Sequence, residues 1–385
     1  MNFLVKYGIG VYLLVTLFYK LMFILPGAVI NVIFLVVMLI GILCLPFYLK
    51  VIYSGESLKV FWVFHLVNLL NFVHLMLFSP TEFKAILYFF TKYASFNLII
   101  LGLVYNEEFY KTVIVKYFKY VLLFMLVTGA FLGKSALDDG RLSIGYNSND
   151  VGLFGLLGLF SIITFNKGWQ KDKKDLTLAV IFLLVSLLSG SKAALLGIVV
   201  VGFLNWGITL RSVGMAALFM FSMLIMTFIG HKTALDRLES SEGAFSSRED
   251  VFRSGMRTFN DSPVFGFGLD RYGWANPKYS KAVGETLGPH NTYISIGIMY
   301  GAFFGIIFLL ILTRFLWRTY RKSYKSPDRY IRFGYYFLLL IMVNGFFETL
   351  IVGVNEFVTL LYWFFIGTVS LNYFSTQKLN HAADH

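Results

Sequence analysis

The stretch "GPHNTYISIGIMYGAFFGIIF" runs from residue 288 to 308 and decides the fold. A proline, a histidine and an asparagine stand directly before an apolar run that continues past residue 310. A run of about 18 or more apolar residues is long enough to cross a bilayer. The segment before it is polar, so a membrane helix starts here with an imidazole at its mouth.

The same pattern recurs through the chain. Of its 385 residues, 57% are hydrophobic and 14% are charged, against about 25% charged in an ordinary soluble domain. Twelve apolar segments can be marked, at about 7–25, 27–49, 58–78, 84–104, 111–133, 149–165, 176–190, 193–210, 212–230, 290–317, 331–352 and 356–374. The expectation is an all-α polytopic membrane protein of about twelve transmembrane helices. The first segment lacks a small-residue cleavage site and reads as a retained helix. The net charge of +12 fits basic cytoplasmic loops and gives no reason to expect nucleic acid. The single cysteine, Cys44, excludes a disulfide within the chain and reads as a small buried apolar residue.

Orientation follows from short basic loops. Residues 166–175, "NKGWQKDKKD", and 318–332, "RTYRKSYKSPDRYIR", both fall on the cytoplasmic side of a twelve-span chain with its N-terminus inside. Both termini are then cytoplasmic. Residues 134–150 and the long segment 231–289 are placed outside. The expected divisions are helices one to nine over 1–230, an extracytoplasmic loop over 231–289, and helices ten to twelve with a cytoplasmic tail over 290–385. The loop carries eight basic and eight acidic residues. Within it, "FSSREDVFRSGMRTFNDSP" predicts a helix with Ser246 and Glu249 as a capping box. Phe252, Met256 and Phe259 follow helical spacing and predict one apolar face. "GFG" at 266–268 lacks the third glycine of a nucleotide-binding loop, because Arg271 stands there, and reads as a turn after Pro263.

Charge inside or beside the membrane is costly and points to function. Lys192 sits in "LLSGSKAALLG", between two apolar runs. Arg248 stands in the first turn of the loop helix, where the macrodipole disfavours a cation. Arg141 and Arg271 are further cations on the outer side. Glu348 lies sixteen residues beyond Arg332, near the outer surface if the helix is continuous, and shares a face with Asn344. His65, Asn68, Asn71 and His74 form a polar series on one helix. The two histidines differ by about 180° around its axis, so the series reads as inter-helix hydrogen bonding. Six histidines and one cysteine offer no metal-binding spacing.

These motifs, taken in order, resemble the O-antigen ligase and polymerase superfamily (the Wzy and WaaL proteins). The resemblance rests on "GYNSNDVGLFGLLGL", "LLSGSKAALLG", a long loop with "SRED" and "SPVFGFGLDRYG", and "PHNTYISIGIMYGAFFGIIF". It covers residues 134–317. It implies a fold akin to the lipid-dependent GT-C glycosyltransferases, with a helical periplasmic loop. It implies metal-independent, cofactor-free, inverting glycan transfer from undecaprenyl diphosphate at the outer face of the bacterial cytoplasmic membrane. Lys192 and Arg248 would hold the diphosphate, with Arg141 and Arg271 as further substrate cations. His290 would be the base or the acceptor-positioning group, beside Asn291. Glu348 is the other candidate proton acceptor. Lys192 departs from the arginine common in that motif, keeping the charge without the two-pronged grip. The implied partners are an undecaprenyl-diphosphate-linked oligosaccharide, membrane lipid and a chain-length regulator protein. A polymerase of O-antigen or capsular repeat units is the leading reading, a ligase onto lipid A-core the second. A transporter is the distant alternative, since internal repeats and midplane charges are not evident.

Overall fold

The computed structural model describes residues 2–19, 27–133, 137–138, 141–166, 172–210, 212–214, 217, 221, 244–269, 290–354 and 356–383. Backbone in lipid must satisfy its own hydrogen bonds, which selects helices from the apolar runs. The helices are α1 (Asn2–Phe18), α2 (Gly27–Cys44), α3 (Leu49–Ile52), α4 (Gly55–Val60), α5 (Trp62–Phe78), α6 (Phe83–Leu132), α7 (Ser148–Phe165), α8 (Lys173–Leu188), α9 (Lys192–Trp206), α10 (Ala244–Asp261), α11 (Thr292–Ser323), α12 (Arg329–Asn344) and α13 (Phe357–Ala383). Side-chain caps set several starts. Asn147 accepts from Asn149 N, Asp172 from Lys174 N, Ser191 from Ala194 N and Asp328 from Tyr330 N.

Four helices are long and apolar enough to cross a membrane: Phe83–Leu132, Ser148–Phe165, Thr292–Ser323 and Phe357–Phe374. Shorter apolar helices cover Val5–Phe18, Trp62–Phe78 and Lys192–Trp206. The chain is thus a nearly all-helical integral membrane protein, but its segments differ from the twelve expected. The fourth and fifth join in one helix, α6, with a kink at Asn106 where a loop was expected. The eleventh ends at Asn344, not near residue 352. Most of the ninth lies outside the described residues.

A buried aromatic cluster holds the centre. Phe96 of α6 lies between Phe64 of α5, at 4.8 Å, and Trp363 of α13, at 4.6 Å between ring centroids. At one end, Lys119 pairs with Asp175, and Lys111 Nζ lies 2.7 Å from Asp328. By the direction of α7 and α12, His290 and Glu348 lie at the other end.

Two departures from helix shape that other end. The first is in α11, where Gly301 adopts φ +65. Its backbone groups are taken up by the segment after α10. Ala302 N donates to Pro263 O and Phe303 N to Val264 O, while Phe267 N and Gly268 N donate to Ile298 O and Met299 O. A Cβ on Gly301 would lie 2.3 Å from Val264 O, so no larger residue fits this interlock. From α5, His74 Nε2 bonds Phe265 O at 2.9 Å and Asn71 accepts from the Tyr300 hydroxyl at 2.7 Å. Two of the four polar residues, Asn71 and His74, thus bond outside α5 as expected, whereas His65 Nε2 and Asn68 Oδ1 are buried without a hydrogen-bond partner among the described residues. Residues 266–268 form a turn, as read from the sequence.

The second departure is a non-helical strap between α12 and α13. Its carbonyls at 350–354 are bonded one after another by side chains. Leu350 O accepts from Thr359, Ile351 O from Trp363 Nε1, Val352 O from Tyr88, Gly353 O from Lys92 and Val354 O from Tyr12. An unsatisfied carbonyl at this depth would cost several kcal/mol. Five of them are covered from α1, α6 and α13.

The helix expected in the long loop is present as α10, but its packed face differs from the predicted one. Val251, Gly255 and Thr258 are buried, while Phe252 and Met256 are exposed. The reason is the shape of α11, which meets α10 at Gly297; a Cβ there would lie 3.1 Å from Phe259. Gly297 thus makes room for the half-buried Phe259 ring, while Phe252 and Met256 of the predicted face stay outward.

Candidate functional site

The site forms where the N-termini of α7, α9 and α11 meet the strap. His290 precedes α11 and takes φ +44, a left-handed conformation that costs a non-glycine residue of the order of 1 kcal/mol or more. That turn aims the imidazole at the strap. Its Nδ1 lies 3.2 Å from Glu348 Oε2. The His290 side chain is 36% exposed and that of Glu348 20%, so the pair is reachable from solvent but not bathed in it.

Glu348 is not on a helix, contrary to the reading from its spacing. α12 has ended four residues earlier, and the face it would share with Asn344 does not exist. Instead its amide donates to Asn344 O at 3.1 Å, in the turn that opens the strap. Thr292 fixes it there: its hydroxyl donates to Glu348 O at 2.8 Å and accepts from Leu350 N at 2.9 Å. Thr292 N also donates to Gly345 O.

The carboxylate's other oxygen, Oε1, accepts from Asn149 Nδ2 at 2.9 Å. The Asn149 carbonyl oxygen in turn accepts from Arg141 Nη2 at 3.1 Å. Arg141 lies on the second strand of a small hairpin, Leu137–Asp138 paired with Arg141–Leu142. Its Nε donates to Ser189 O at 3.0 Å, in the turn before α9. A four-membered chain, Arg141–Asn149–Glu348–His290, thus links three segments far apart in sequence.

Ser189, Gly190 and Ser191 form that turn, with Gly190 at φ +60. It lies against α7 because Gly152 leaves room: a Cβ there would meet Ser189 Oγ at 2.5 Å. Lys192 is the first residue of α9 and is half-buried. The macrodipole opposes a cation at this position, so its placement serves something other than helix stability. Arg141 bonds the turn that Lys192 directly follows, and through Asn149 it is joined to the His290–Glu348 pair.

The remaining expected residues fall as follows. Asn291 caps α11, accepting from Tyr293 N and Ile294 N, and its amide donates to Phe346 O at 3.1 Å. It organises the site's backbone rather than facing outward. Arg248 lies in the first part of α10. Arg271 lies outside the described residues. Asn149 was missed as a site residue although its motif was quoted. The signal was available: Asn147 suffices to cap α7, which leaves the second asparagine unexplained.

An acceptor-only carboxylate between two donors defines what the arrangement can do. An ionised Glu348 requires hydrogens on His290 Nδ1 and Asn149 Nδ2. A neutral His290 then presents Nε2 as a lone pair, which is the form of a general base oriented by a third group.

The sequence model described as O-antigen ligase matches residues 177–310. The match takes in Lys192, Arg248, Arg271, His290 and Asn291, and supports the superfamily resemblance read from the motifs. No curated protein matches the chain. The match suggests a function of O-antigen ligase or polymerase type, for which the substrates would be lipid-linked sugars.

Proposed function

We propose that the protein is an O-antigen or capsular polysaccharide polymerase, acting on undecaprenyl-diphosphate-linked repeat units at the outer face of the cytoplasmic membrane. The observation that carries the reading is the chain Arg141–Asn149–Glu348–His290, which Arg141 ties to the turn before Lys192. His290 Nε2 takes the proton of the acceptor hydroxyl. The hydroxyl oxygen attacks the anomeric carbon of the donor sugar from the face opposite the leaving group. The bond from that carbon to the diphosphate oxygen breaks, and its electron pair leaves with undecaprenyl diphosphate. Negative charge grows on the diphosphate as this happens, and fixed cations in a partly dry site lower that cost. Lys192 and Arg248 supply them, with Arg271 as a third. Glu348 keeps Nδ1 protonated and the ring aimed, and stabilises the imidazolium that forms. Asn149 and Arg141 hold Glu348.

In this reading residues 231–289 lie outside the cell membrane, both termini lie in the cytoplasm, and the fold is of the GT-C kind. A chain-length regulator is the protein partner that such a polymerase would take. The second reading is a ligase that moves finished polymer to lipid A-core, the activity named in the description of the matched family, whose match does not separate the two. Donor chemistry is the same in both, and the acceptor differs. Purified protein given lipid-diphosphate repeat units decides between them. Longer lipid-linked glycans identify a polymerase. Transfer only to lipid A-core identifies a ligase. No new glycosidic bond with either acceptor sinks both.

A further inference from the structure

Phe346 lies two residues before Glu348, and its carbonyl is held by Asn291, the residue after His290. Its ring is 59% exposed. Tyr293 braces it from one side, with ring centroids 4.5 Å apart and planes 40° apart. Tyr293 is itself fixed, because its hydroxyl donates to Met342 O at 2.6 Å. An exposed aromatic ring on a membrane protein ordinarily faces lipid. Two observations argue otherwise here. Residues 345–349 are not helical, and irregular backbone at membrane depth is either buried in protein or lines a water-accessible cavity; an exposed ring on it fits the second case and not lipid. Asn291, which holds the Phe346 carbonyl, directly follows the partly exposed His290, and Glu348 lies two residues on; a lipid chain here would leave that pair desolvated.

A flat, braced, apolar face beside a group that handles hydroxyls matches one ligand class. Pyranose rings carry hydroxyls around their rim and C–H groups on one face. Such a ring can lay its C–H face on an aromatic while one rim hydroxyl reaches the neighbouring base. We infer that Phe346, braced by Tyr293, is a stacking platform for a sugar ring of the acceptor glycan, placing its hydroxyl at His290. The inference rests on the glycan-transfer reading for the identity of the hydroxyl's partner, but sugar binding at Phe346 can be measured without turnover.

The test uses the full chain in lipid nanodiscs and two probes. One is the oligosaccharide released by mild acid from the lipid-linked repeat unit; the other is undecaprenyl phosphate, which carries no sugar. Binding is titrated for wild type, Phe346→Tyr, Phe346→Leu and Phe346→Ala, each checked for a single monodisperse peak. Phe346→Tyr keeps the aromatic face, whereas Phe346→Leu keeps apolarity and loses the face. Wild type and Phe346→Tyr should bind the oligosaccharide alike. Phe346→Leu and Phe346→Ala should bind it roughly five- to tenfold more weakly, the scale of one aromatic contact. Affinity for undecaprenyl phosphate should be the same in all four. In turnover, KM for the acceptor should rise with kcat kept. Leucine matching wild type, a loss confined to undecaprenyl phosphate, or no oligosaccharide binding by wild type would overturn the platform. Oligosaccharide binding with the predicted order but without chain growth would uphold the platform and overturn the transferase reading.

Discussion

Replacing Glu348 by glutamine tests the chain at its centre. Size and shape are kept, and the loss is one charge and one acceptor atom. The carboxylate accepts from His290 at 3.2 Å and from Asn149 at 2.9 Å. An amide can accept at one end only. If its oxygen faces Asn149, its NH2 faces His290 Nδ1, which must then become an acceptor. The ring's proton moves to Nε2, and the lone pair needed for the acceptor hydroxyl is gone. If its oxygen faces His290, its NH2 opposes Asn149 Nδ2. Asn149 must turn its amide, and its bond to Arg141 is lost. The first orientation keeps both links but reverses the one to His290, whereas the second breaks one link, worth about 1–3 kcal/mol in a partly buried site. The first also removes the base and the anion that stabilises imidazolium, so kcat should fall by about two to four orders of magnitude. The measurement is single-turnover transfer with purified protein, beside the glycan ladder in cells at matched protein level. A ladder and a turnover rate within threefold of wild type for Glu348→Gln would refute the assignment of His290 as an oriented base.

Lys192→Ala and Arg248→Ala should each abolish chain growth while leaving protein level and membrane insertion intact, and wild-type banding in either would remove that residue from diphosphate binding. Gly301→Val should lower the amount of folded protein sharply, since its Cβ would fall 2.3 Å from Val264 O; detergent-extracted yield by size exclusion reads this, and a normal yield would mean the interlock can yield. Lys92→Met should cost about 1–3 kcal/mol by uncovering Gly353 O, seen as lowered thermal stability in detergent, and an unchanged Tm would show that water replaces the ammonium there.

Much of the helical frame was legible because lipid enforces a simple rule: apolar runs become helices. The loop helix was legible from its spacing, but not its packed face. That depended on α11, where Gly297 meets Phe259. His290, Glu348, Lys192 and Arg141 stood out singly as charged or titratable groups where such groups are costly. Their connection did not, because it passes through Asn149, a neutral residue with no periodicity to mark it. Glu348 was placed on the wrong kind of backbone, since nothing local forbids a helix through 345–352. What stops it is distant: Thr292, Tyr88, Lys92 and Tyr12 bind the strap's backbone in another shape. At Asn106 the polar residues of "YNEEFYK" did mark a break, but as a loop and not as the kink that the continuous helix makes there.

The strap also bears on how the protein is made. Tyr12 and Val354 are 342 residues apart, so the bond between them waits until almost the entire chain has left the ribosome. Tyr88 and Lys92 wait nearly as long for Val352 and Gly353. Until then those donors sit in the membrane without their final acceptors, and Glu348 has no fixed position. The early helices can insert one by one, yet the proposed catalytic pair forms only when the last two helices close against the first. A nascent or truncated chain lacking α13 would therefore insert without gaining activity, which spares the cell a half-built enzyme acting on its lipid-linked sugars.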